Sequence, residues 1–499
     1  MGLLFFTVFV VGITSLIWLA TKHLLLKERF TGLCCPRSYP FIGHAMLAKP
    51  DPEGFINQVM GMACMYPAGP RMVLLWLGPV PIVMLYSASL AEKVLSSGKH
   101  LNKGFVYSLL EPWLGQGIIT SRVQNWRPKR KLLTPTFHYD ILKDFLPIFN
   151  NQARILVNKL SGLPESKTVE LLSYLTLCGL DIICETSMGR CVNAQQNQES
   201  EYVKAVHSIN DLIQERARNP FMWSDFLYKR FGNGELEKKC LRVLHTFTRK
   251  VISERQKELV ERNWCFEGRL AFLDLLLEMV HQGQLNPDEV QQQVDTFMFA
   301  GHDTTSTSSA WVLFVLGCYP EIQRRVQAEV DEVLGDHDCI LPEHLPRLKY
   351  LECCLKESLR LYPSVPMIMR ELGESEELGG VSLPKGTQVV INQYMIHRDP
   401  TNWPDPEKFD PDRFAHDSDV RRNPFAFIPF SAGSRNCIGQ RFALMVEKVV
   451  VSWILRHFNI ASIQTRCGMK TRTSLVLRPS NGIHVFLERR RAVTGEYKD

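Results

Sequence analysis

Several signatures of common enzyme and binding classes are missing from this chain of 499 residues. Its 14 cysteines include no Cys-x-x-Cys pair, which argues against a zinc site of that type. No Gly-x-Ser-x-Gly motif occurs, and Gly232 and Gly234 lack the rest of a dinucleotide-binding fingerprint, so a serine hydrolase and a nucleotide-dependent dehydrogenase are both disfavoured. The net charge is only +6 without a concentrated basic element, and nucleic acid is therefore not expected as a partner.

Internal repeats are also absent, and the composition is that of an ordinary globular protein, with 45% hydrophobic and 22% charged residues. Cysteines such as Cys178 and Cys318 lie within apolar stretches, where a free thiol behaves as a small hydrophobic group. This placement argues against a disulfide framework. We therefore expect the main part of the chain to face the reducing cytosol.

The first residues predict a membrane anchor. Residues 2–21 carry no charge and are rich in Leu, Phe, Val and Ile, and a helix of that length covers roughly 30 Å, about the core of a bilayer. Lys22, Lys27 and Arg29 follow at once, which places the N-terminus in the lumen and the remainder in the cytosol. We expect a transmembrane signal-anchor over residues 1–21; a cleaved signal peptide is the alternative, and its basic n-region and cleavage site are poorly matched.

The rest of the chain predicts one large domain, mainly α with small β-sheets. Prolines and a glycine indicate a non-helical connector within residues 22–50, ahead of a domain over residues 51–499. The apolar stretch 72–87 is interrupted by Gly78 and Pro79 and predicts a hairpin. The expected helices include residues 140–160, 235–262, 288–316 and 320–333, and the later strands residues 387–392 and 473–485.

The strongest local motif is Phe-Ser-Ala-Gly-Ser-Arg-Asn-Cys-Ile-Gly at residues 430–439, which runs directly into a helical pattern. Cys437 stands just before the helix start, where the dipole and the free backbone N–H groups lower a thiol pKa. Gly433 and Gly439 allow the backbone to turn tightly around the sulfur, and Arg435 adds positive charge. A thiolate in such a loop suits an iron porphyrin, and a buried structural cysteine is the alternative.

This motif resembles the haem-binding loop of the cytochrome P-450 superfamily, Phe-x-x-Gly-x-Arg-x-Cys-x-Gly, at every fixed position from Phe430 to Gly439. The resemblance implies the haem-thiolate monooxygenase fold, with haem b as cofactor and Cys437 as the axial ligand of the iron. Segments such as EPWLGQGIITS, TPTFHYDIL and LRPSNGI are similar to family 4, most of all to its V subfamily.

Members of family 4 are typically fatty-acid ω-hydroxylases that receive electrons from NADPH through a flavoprotein reductase. The resemblance therefore implies a medium- to long-chain fatty acid as the substrate, oxidised at or near its ω end. It also implies NADPH–cytochrome reductase as a partner, with cytochrome b5 as a further candidate, and a single-pass location in the endoplasmic reticulum membrane.

Two further motifs follow in the order that the family requires. Glu357 and Arg360 are three residues apart and share one helical face, and the later segment PEKFDPDRF resembles the family's Pro-x-x-Phe-x-Pro-x-Arg-Phe stretch. The resemblance implies that Glu357, Arg360 and Arg413 form a structural cluster on the proximal side of the haem. Arginine and carboxylate groups suit such a buried clamp because they bond bidentately.

The segment Ala300 to Thr305, Ala-Gly-His-Asp-Thr-Thr, resembles the family's oxygen-activating signature. Gly301 removes a side chain and allows a flat cofactor to approach the helix. The Thr304 hydroxyl can bond the carbonyl of Ala300 and bend the helix, and Asp303 with Thr304 forms an acid–alcohol pair that can relay protons to the reacting oxygen. Ordinary polar residues in a buried helix are the alternative.

The haem propionates need cations. By the resemblance, Trp126 and Arg130, which match Trp-x-x-x-Arg, contribute to this site together with Arg370 and Arg435. In many members of family 4 a Glu at the position of Ala300 forms an ester to the haem. We therefore expect a haem that is bound non-covalently here, and oxidation at subterminal carbons or epoxidation stays open beside ω-hydroxylation.

Three other functions compete with this hypothesis. A haem-thiolate isomerase or lyase of lipid peroxides would need no reductase, and a haem sensor or carrier would need no proton relay. The pair Asp303 and Thr304 argues against both. Oxidation of a sterol, a xenobiotic or another lipid is the third.

Overall fold

The computed structural model describes residues 24–39, 42–66, 69–197, 200–265, 271–415 and 421–490, together with residues 6, 14 and 21. Helices dominate, as predicted, and they are α1 Pro52–Met65, α2 Ala88–Ser96, α3 Glu111–Leu114, α4 Val123–Leu133, α5 Tyr139–Leu142, α6 Leu146–Ser161, α7 Leu171–Ser187, α8 Glu201–Arg218, α9 Asp225–Phe231, α10 Gly234–Glu261, α11 Phe272–His281, α12 Pro287–Cys318, α13 Pro320–Leu334, α14 Lys349–Leu361, α15 Gln393–Ile396 and α16 Gln440–His457.

The strands are short, and they are β1 Met72–Leu77, β2 Val80–Leu85, β3 Asn102–Lys103, β4 Val169–Glu170, β5 Met367–Glu371, β6 Glu376–Leu378, β7 Val381–Leu383, β8 Gln388–Asn392, β9 Phe458–Ser462, β10 Thr471–Thr473, β11 Leu477–Pro479 and β12 His484–Arg489. The largest sheet has the order β1-β2-β8-β5-β3, and β1 and β2 form the predicted hairpin. A second sheet has the order β4-β12-β9, and β6-β7 and β10-β11 are separate pairs.

Helix α12 runs through the centre of the molecule and has clear sequence boundaries. It begins after Asn286, whose side chain accepts the N–H of Asp288 as an N-cap, and Pro287 occupies the first turn. It ends at Cys318 because the proline at 320 disfavours helical geometry in the residue before it. Nearly every residue from 302 to 317 is buried, so this helix forms the core against which its neighbours pack.

Helices α7 and α12 approach each other closely through two glycines. A Cβ added at Gly179 would collide with the Ser306 hydroxyl, and a Cβ added at Gly301 would lie 2.7 Å from Ile183 Cγ1. Gly301 lines the central cavity, but its missing side chain makes room for α7. The expectation that this glycine lets a flat cofactor approach the helix stays a prediction.

One predicted helix is divided. The pattern over residues 140–160 predicted a continuous helix, whereas α5 ends at Leu142, a 3-10 turn follows at Lys143–Phe145, and α6 begins at Leu146. Pro147 lies in the first turn of α6 and has no N–H to donate to a preceding turn, which explains the break.

None of the helices within the described ranges combines the length and the apolar character that crossing a bilayer requires. The predicted anchor over residues 1–21 lies almost entirely outside the described residues and stays a prediction.

Candidate active site

A cavity of about 860 Å³ brings together nine of the residues singled out above, namely Trp126, Arg130, Ala300, Gly301, Thr304, Phe430, Arg435, Cys437 and Gly439. Its wall is mainly apolar and is contributed by α1, α4, α8, α12, α16 and the strands β1, β2, β5 and β8. The Cys437 sulfur lies at one end, between the loop before α16 and the middle of α12. Ala300, Gly301, Thr304 and Phe430 line the cavity with it.

The loop before α16 holds Cys437 by its backbone. The Cys437 N–H donates to the Phe430 carbonyl at 2.9 Å, which closes the loop. Gly433 has φ +70, and a Cβ there would collide with the Leu95 carbonyl, so this turn needs glycine. Gly439 has φ −88 and needs no special conformation; its N–H bonds to the Cys437 sulfur instead. The predicted turning role therefore applies to Gly433 but not to Gly439.

Burial raises the pKa of the Cys437 thiol, and the Gly439 N–H and the cations of Arg130 and Lys103 oppose this shift. The expectation of a lowered thiol pKa is thus wrong for the polypeptide alone. The loss of thiolate hydration raises the pKa by more than the N–H groups at the helix start lower it. Coordination to a metal deprotonates a thiol outright, so this sulfur is suited to a ligand role and unsuited to that of a free nucleophile.

Cations surround the same end of the cavity. Arg435 stacks its guanidinium 4.5 Å from the centre of the Trp126 ring, and Arg130 donates to the carbonyl and side-chain oxygens of Asn436 at 2.7 and 2.8 Å. Arg435 Nε and Nη1 are buried and have no hydrogen-bond partner among the described residues. Burial and the neighbouring Arg370 lower the pKa of Arg435 to about 9.

These observations fit a haem. Its propionates would satisfy the orphaned donors of Arg435, its iron would take the Cys437 sulfur, and its flat apolar ring would contact the apolar wall. The residues that would hold it are Cys437, Arg435, Trp126 and Arg130.

The predicted role of Arg370 toward a propionate stays a prediction. Its side chain is buried, donates weakly to the Met369 carbonyl at 3.3 Å and is not part of the cavity wall, but it lies close enough to Arg435 to lower the pKa of that residue. Lys103 pairs with Arg370 across strands β3 and β5 and lines the cavity in its place. Sequence reasoning missed Lys103 because a two-residue strand carries no periodic pattern.

The Lys103 ammonium lies 4.6 Å from the centre of the Tyr107 ring. Burial, Arg370 and Arg435 lower the pKa of Lys103 well below its usual value, and Cys437 acts in the opposite direction. A bound carboxylate would reverse that shift, so Lys103 is a fourth residue suited to a propionate.

Helix α12 presents Thr304 to the cavity and turns Asp303 away from it. The Thr304 hydroxyl donates to the Ala300 carbonyl at 2.7 Å, the bond expected from the sequence. The Asp303 carboxylate instead accepts from Arg478 of β11 and from Asn210 of α8, and all three side chains are buried. Burial alone would raise the pKa of Asp303, but Arg478 lowers it below the ordinary value. Asp303 is therefore an ionised, paired carboxylate outside the cavity wall.

Glu357, Arg360 and Arg413 lie together behind the Cys437 loop. Arg360 bonds Glu357 bidentately at 2.7 and 2.8 Å, with neither side chain exposed. The same guanidinium donates to the carbonyls of His397, Pro406 and Lys408. Arg413 is more distant, with its Nε 3.5 Å from Glu357. The structure thus brings these three residues together and shows that Arg360 ties α14 to the segment 397–408.

Comparison with known proteins agrees with this geometry. A family model described as Cytochrome P450 matches residues 34–486. Human Cytochrome P450 4V2 is 46% identical over 469 residues, covering 91% of this chain and 89% of the relative. Cytochrome P450 4V2 of Mus musculus is also 46% identical, over 467 residues with the same coverage. Cytochrome P450 4c3 of Drosophila melanogaster is 41% identical over 504 residues, covering 96% and 94%. The predicted resemblance to family 4 is confirmed.

Proposed function

The chain belongs to the cytochrome P450 family and is a monooxygenase, and from this premise we propose that it hydroxylates fatty acids at or near the ω end. The observation that supports the proposal most directly is the mainly apolar cavity whose wall includes both Cys437 and Thr304. An acyl chain suits a wall with so few polar groups, since its burial is favourable at about 25 cal/mol per Å² of apolar surface.

Membership of the family implies haem b as the cofactor. When bound, it supplies the activation of O2, with two electrons and two protons, so that one oxygen atom enters a C–H bond and the other leaves as water. The protein supplies the thiolate of Cys437, held by the Phe430 carbonyl and the Gly439 N–H. Most of the cavity wall is apolar, so few protein groups there would hold water once haem and substrate are bound.

Thr304 lines the cavity, as Thr296 and Thr305 of the same helix do, and its hydroxyl donates to the Ala300 carbonyl. We assign Thr304 the role of holding a proton near the reacting oxygen, as its resemblance to the family's oxygen-activating signature implies. Asp303 is adjacent in sequence but bonded to Arg478 on the far side of the helix. We assign Asp303 a positioning and electrostatic role in this state. It can pass a proton toward Thr304 only after its carboxylate leaves Arg478.

The remaining parts of the proposal concern partners and location. NADPH–cytochrome reductase would deliver the electrons, with cytochrome b5 as a further candidate donor. The single-pass anchor over residues 1–21 would hold the catalytic domain at the cytosolic face of the endoplasmic reticulum. The haem would be held without a covalent bond, because Ala300 offers no carboxylate.

The test is reconstitution of the full chain with the reductase and NADPH against saturated and polyunsaturated fatty acids, with product positions assigned by mass spectrometry. We expect NADPH-dependent oxygenation at ω or adjacent carbons. If a sterol or xenobiotic is oxidised and no fatty acid is, the substrate assignment is wrong. Conversion of a lipid peroxide without NADPH would instead favour an isomerase or lyase.

The ligand assignment has its own test. Cys437→Ser should abolish the red-shifted Soret band of the reduced carbon monoxide complex, because that band requires a thiolate. Cys467→Ser, at an exposed cysteine outside the cavity wall, should retain the band. A band that survives in the Cys437 variant contradicts the assignment.

A further inference from the structure

The wall of the cavity also includes residues of α1, and near them lies a cation that is not among those assigned to the haem, Arg218. Arg218 is the last residue of α8, and its guanidinium lies 5.6 Å from the centre of the Phe55 ring on α1. Both residues line the cavity. Arg218 Nη1 is buried, and within the ranges that the structure describes it has no hydrogen-bond partner. A buried donor without an acceptor is costly, so this atom is suited to a ligand.

The other polar side chains at this end of the cavity are already engaged. Gln58 donates to the Leu47 carbonyl at 2.8 Å and accepts from the Lys49 N–H at 3.0 Å. Gln214, one turn before Arg218, donates to the Ser474 carbonyl at 2.8 Å. Arg218 therefore offers the uncommitted donor among these three lining side chains.

Three carboxylates lie near Arg218, and each is held elsewhere. Asp211 pairs with Arg472 at 3.1 Å, Glu215 accepts from Asn233 at 3.1 Å, and the Asp51 side chain caps the start of α1. Burial lowers the pKa of Arg218, while these acids act in the opposite direction. An anion bound at the guanidinium would oppose this lowering of the Arg218 pKa, because it stabilises the charged form.

We propose that Arg218 binds the carboxylate of the acyl substrate and so directs the opposite, methyl end of the chain toward Cys437. This inference rests on the proposed fatty-acid hydroxylation and adds the residue that orients the substrate. A planar guanidinium recognises a carboxylate through two parallel hydrogen bonds, which an ammonium cannot reproduce. The other cations of the cavity wall, Lys103, Arg130 and Arg435, are the ones suited to the haem propionates, which leaves Arg218 for the substrate carboxylate.

The test uses the full-length holoenzyme and follows the high-spin shift of the Soret band on ligand binding. The ligands are dodecanoic acid and its methyl ester, which differ only in the charged head group. For Arg218→Ala we expect the Kd of the acid to rise at least about tenfold, in keeping with a hydrogen bond to a charged group. The Kd of the ester should change less than about twofold. Arg218→Lys should weaken acid binding less than Arg218→Ala.

Arg230→Ala is the charge-matched control, because Arg230 is an exposed cation on α9 and is not part of the cavity wall. It should leave the acid-to-ester preference intact. Equal losses of acid binding in both variants would indicate a long-range charge effect and overturn the proposal, as would equal weakening of acid and ester in Arg218→Ala.

Reconstituted turnover separates this inference from the proposed function. If the wild type oxidises fatty acids and Arg218→Ala keeps the same affinity and ω selectivity, only the role of Arg218 fails. If the wild type oxidises no fatty acid, the proposed function fails. We expect Arg218→Ala to shift oxidation toward internal carbons, since the chain is no longer held at its head.

Discussion

Asp303 and Arg478 form an ion pair inside the molecule, with only 1% and 5% of their side chains exposed. The pair ties the middle of α12 to strand β11, and Asn210 of α8 adds a hydrogen bond at 3.2 Å. Two helices that line the cavity, α8 and α12, and strand β11 thus meet at one carboxylate.

Asp303→Asn should destabilise the fold by about 3–5 kcal/mol, because it leaves the buried Arg478 charge without a carboxylate, with His207 as its remaining side-chain partner. The double variant Asp303→Asn with Arg478→Met should regain part of that loss. The measurement is urea unfolding followed by the Soret band and by circular dichroism. Asp412→Asn, which breaks an exposed pair with Arg325, is the control and should cost at most about 1 kcal/mol. Additive losses in the double variant would contradict the pairing.

Thr304→Val should lower the product formed per NADPH and raise hydrogen peroxide, because the hydroxyl that can hold a proton at the cavity is lost. Thr307→Val is a matched control in the same helix. Thr307 is buried outside the cavity wall, and its hydroxyl has no partner in the described part of the chain. If both variants stay fully coupled, Thr304 has no role in proton delivery.

Glu357→Ala should prevent stable haem retention, because it leaves the fully buried Arg360 with only carbonyl acceptors. The expected cost is about 3–5 kcal/mol. Lys356→Ala, on the same helix, breaks a half-exposed pair with Glu352 and should have little effect. Haem content per folded protein, from absorbance, is the measurement. Normal haem content in the Glu357 variant would show that the clamp is dispensable.

Haem should extract from the wild-type enzyme into acidified organic solvent, because Ala300 lines the cavity without a carboxylate. Ala300→Glu places a carboxylate at that position and should retain some haem on the denatured chain after turnover. The measurement is chromatography of acid-denatured protein at the haem absorbance. Haem that remains on denatured wild-type protein would refute non-covalent binding.

Glu447 on α16 should make stability depend on pH. Burial raises its pKa from an ordinary 4.5 to about 8, against a hydrogen bond with Ser308. Between these values the folded protein keeps a proton that the unfolded chain releases, so stability falls as pH rises, by at most about 1.4 kcal/mol per pH unit. The free energy of unfolding of Glu447→Gln, measured by urea unfolding, should therefore rise relative to that of the wild type as pH increases through this range. Glu321→Gln, which changes an exposed carboxylate, should show the same pH dependence of stability as the wild type.

The sequence allowed the Cys437 loop, the hairpin β1–β2 and the helical class to be predicted, because each depends on residues that are close in the chain. Helix α12 was predictable from its periodicity, whereas the break before α6 was missed although Pro147 signals it. These features follow from local backbone chemistry.

Features that depend on long-range packing could not be predicted. Lys103 reaches the cavity only because β3 pairs with β5, more than 260 residues later. Asp303 is paired with a residue that lies 175 positions away, so its orientation on α12 was invisible in the sequence. The pKa of the Cys437 thiol likewise depends on tertiary structure. Burial raises it, and the N–H groups at the helix start oppose that shift, so its direction depends on how much the fold buries the sulfur.

The glycine contacts of α7 and α12 decide which parts of the cavity can adapt to ligands of different length. With Gly179 against Ser306 and Gly301 against Ile183, neither helix has room to slide or rotate without a collision. A larger side chain at Gly179 or Gly301 would therefore push the two helices apart. Variants that broaden the substrate range are better sought elsewhere in the cavity wall, for example on α1 or at the end of α8.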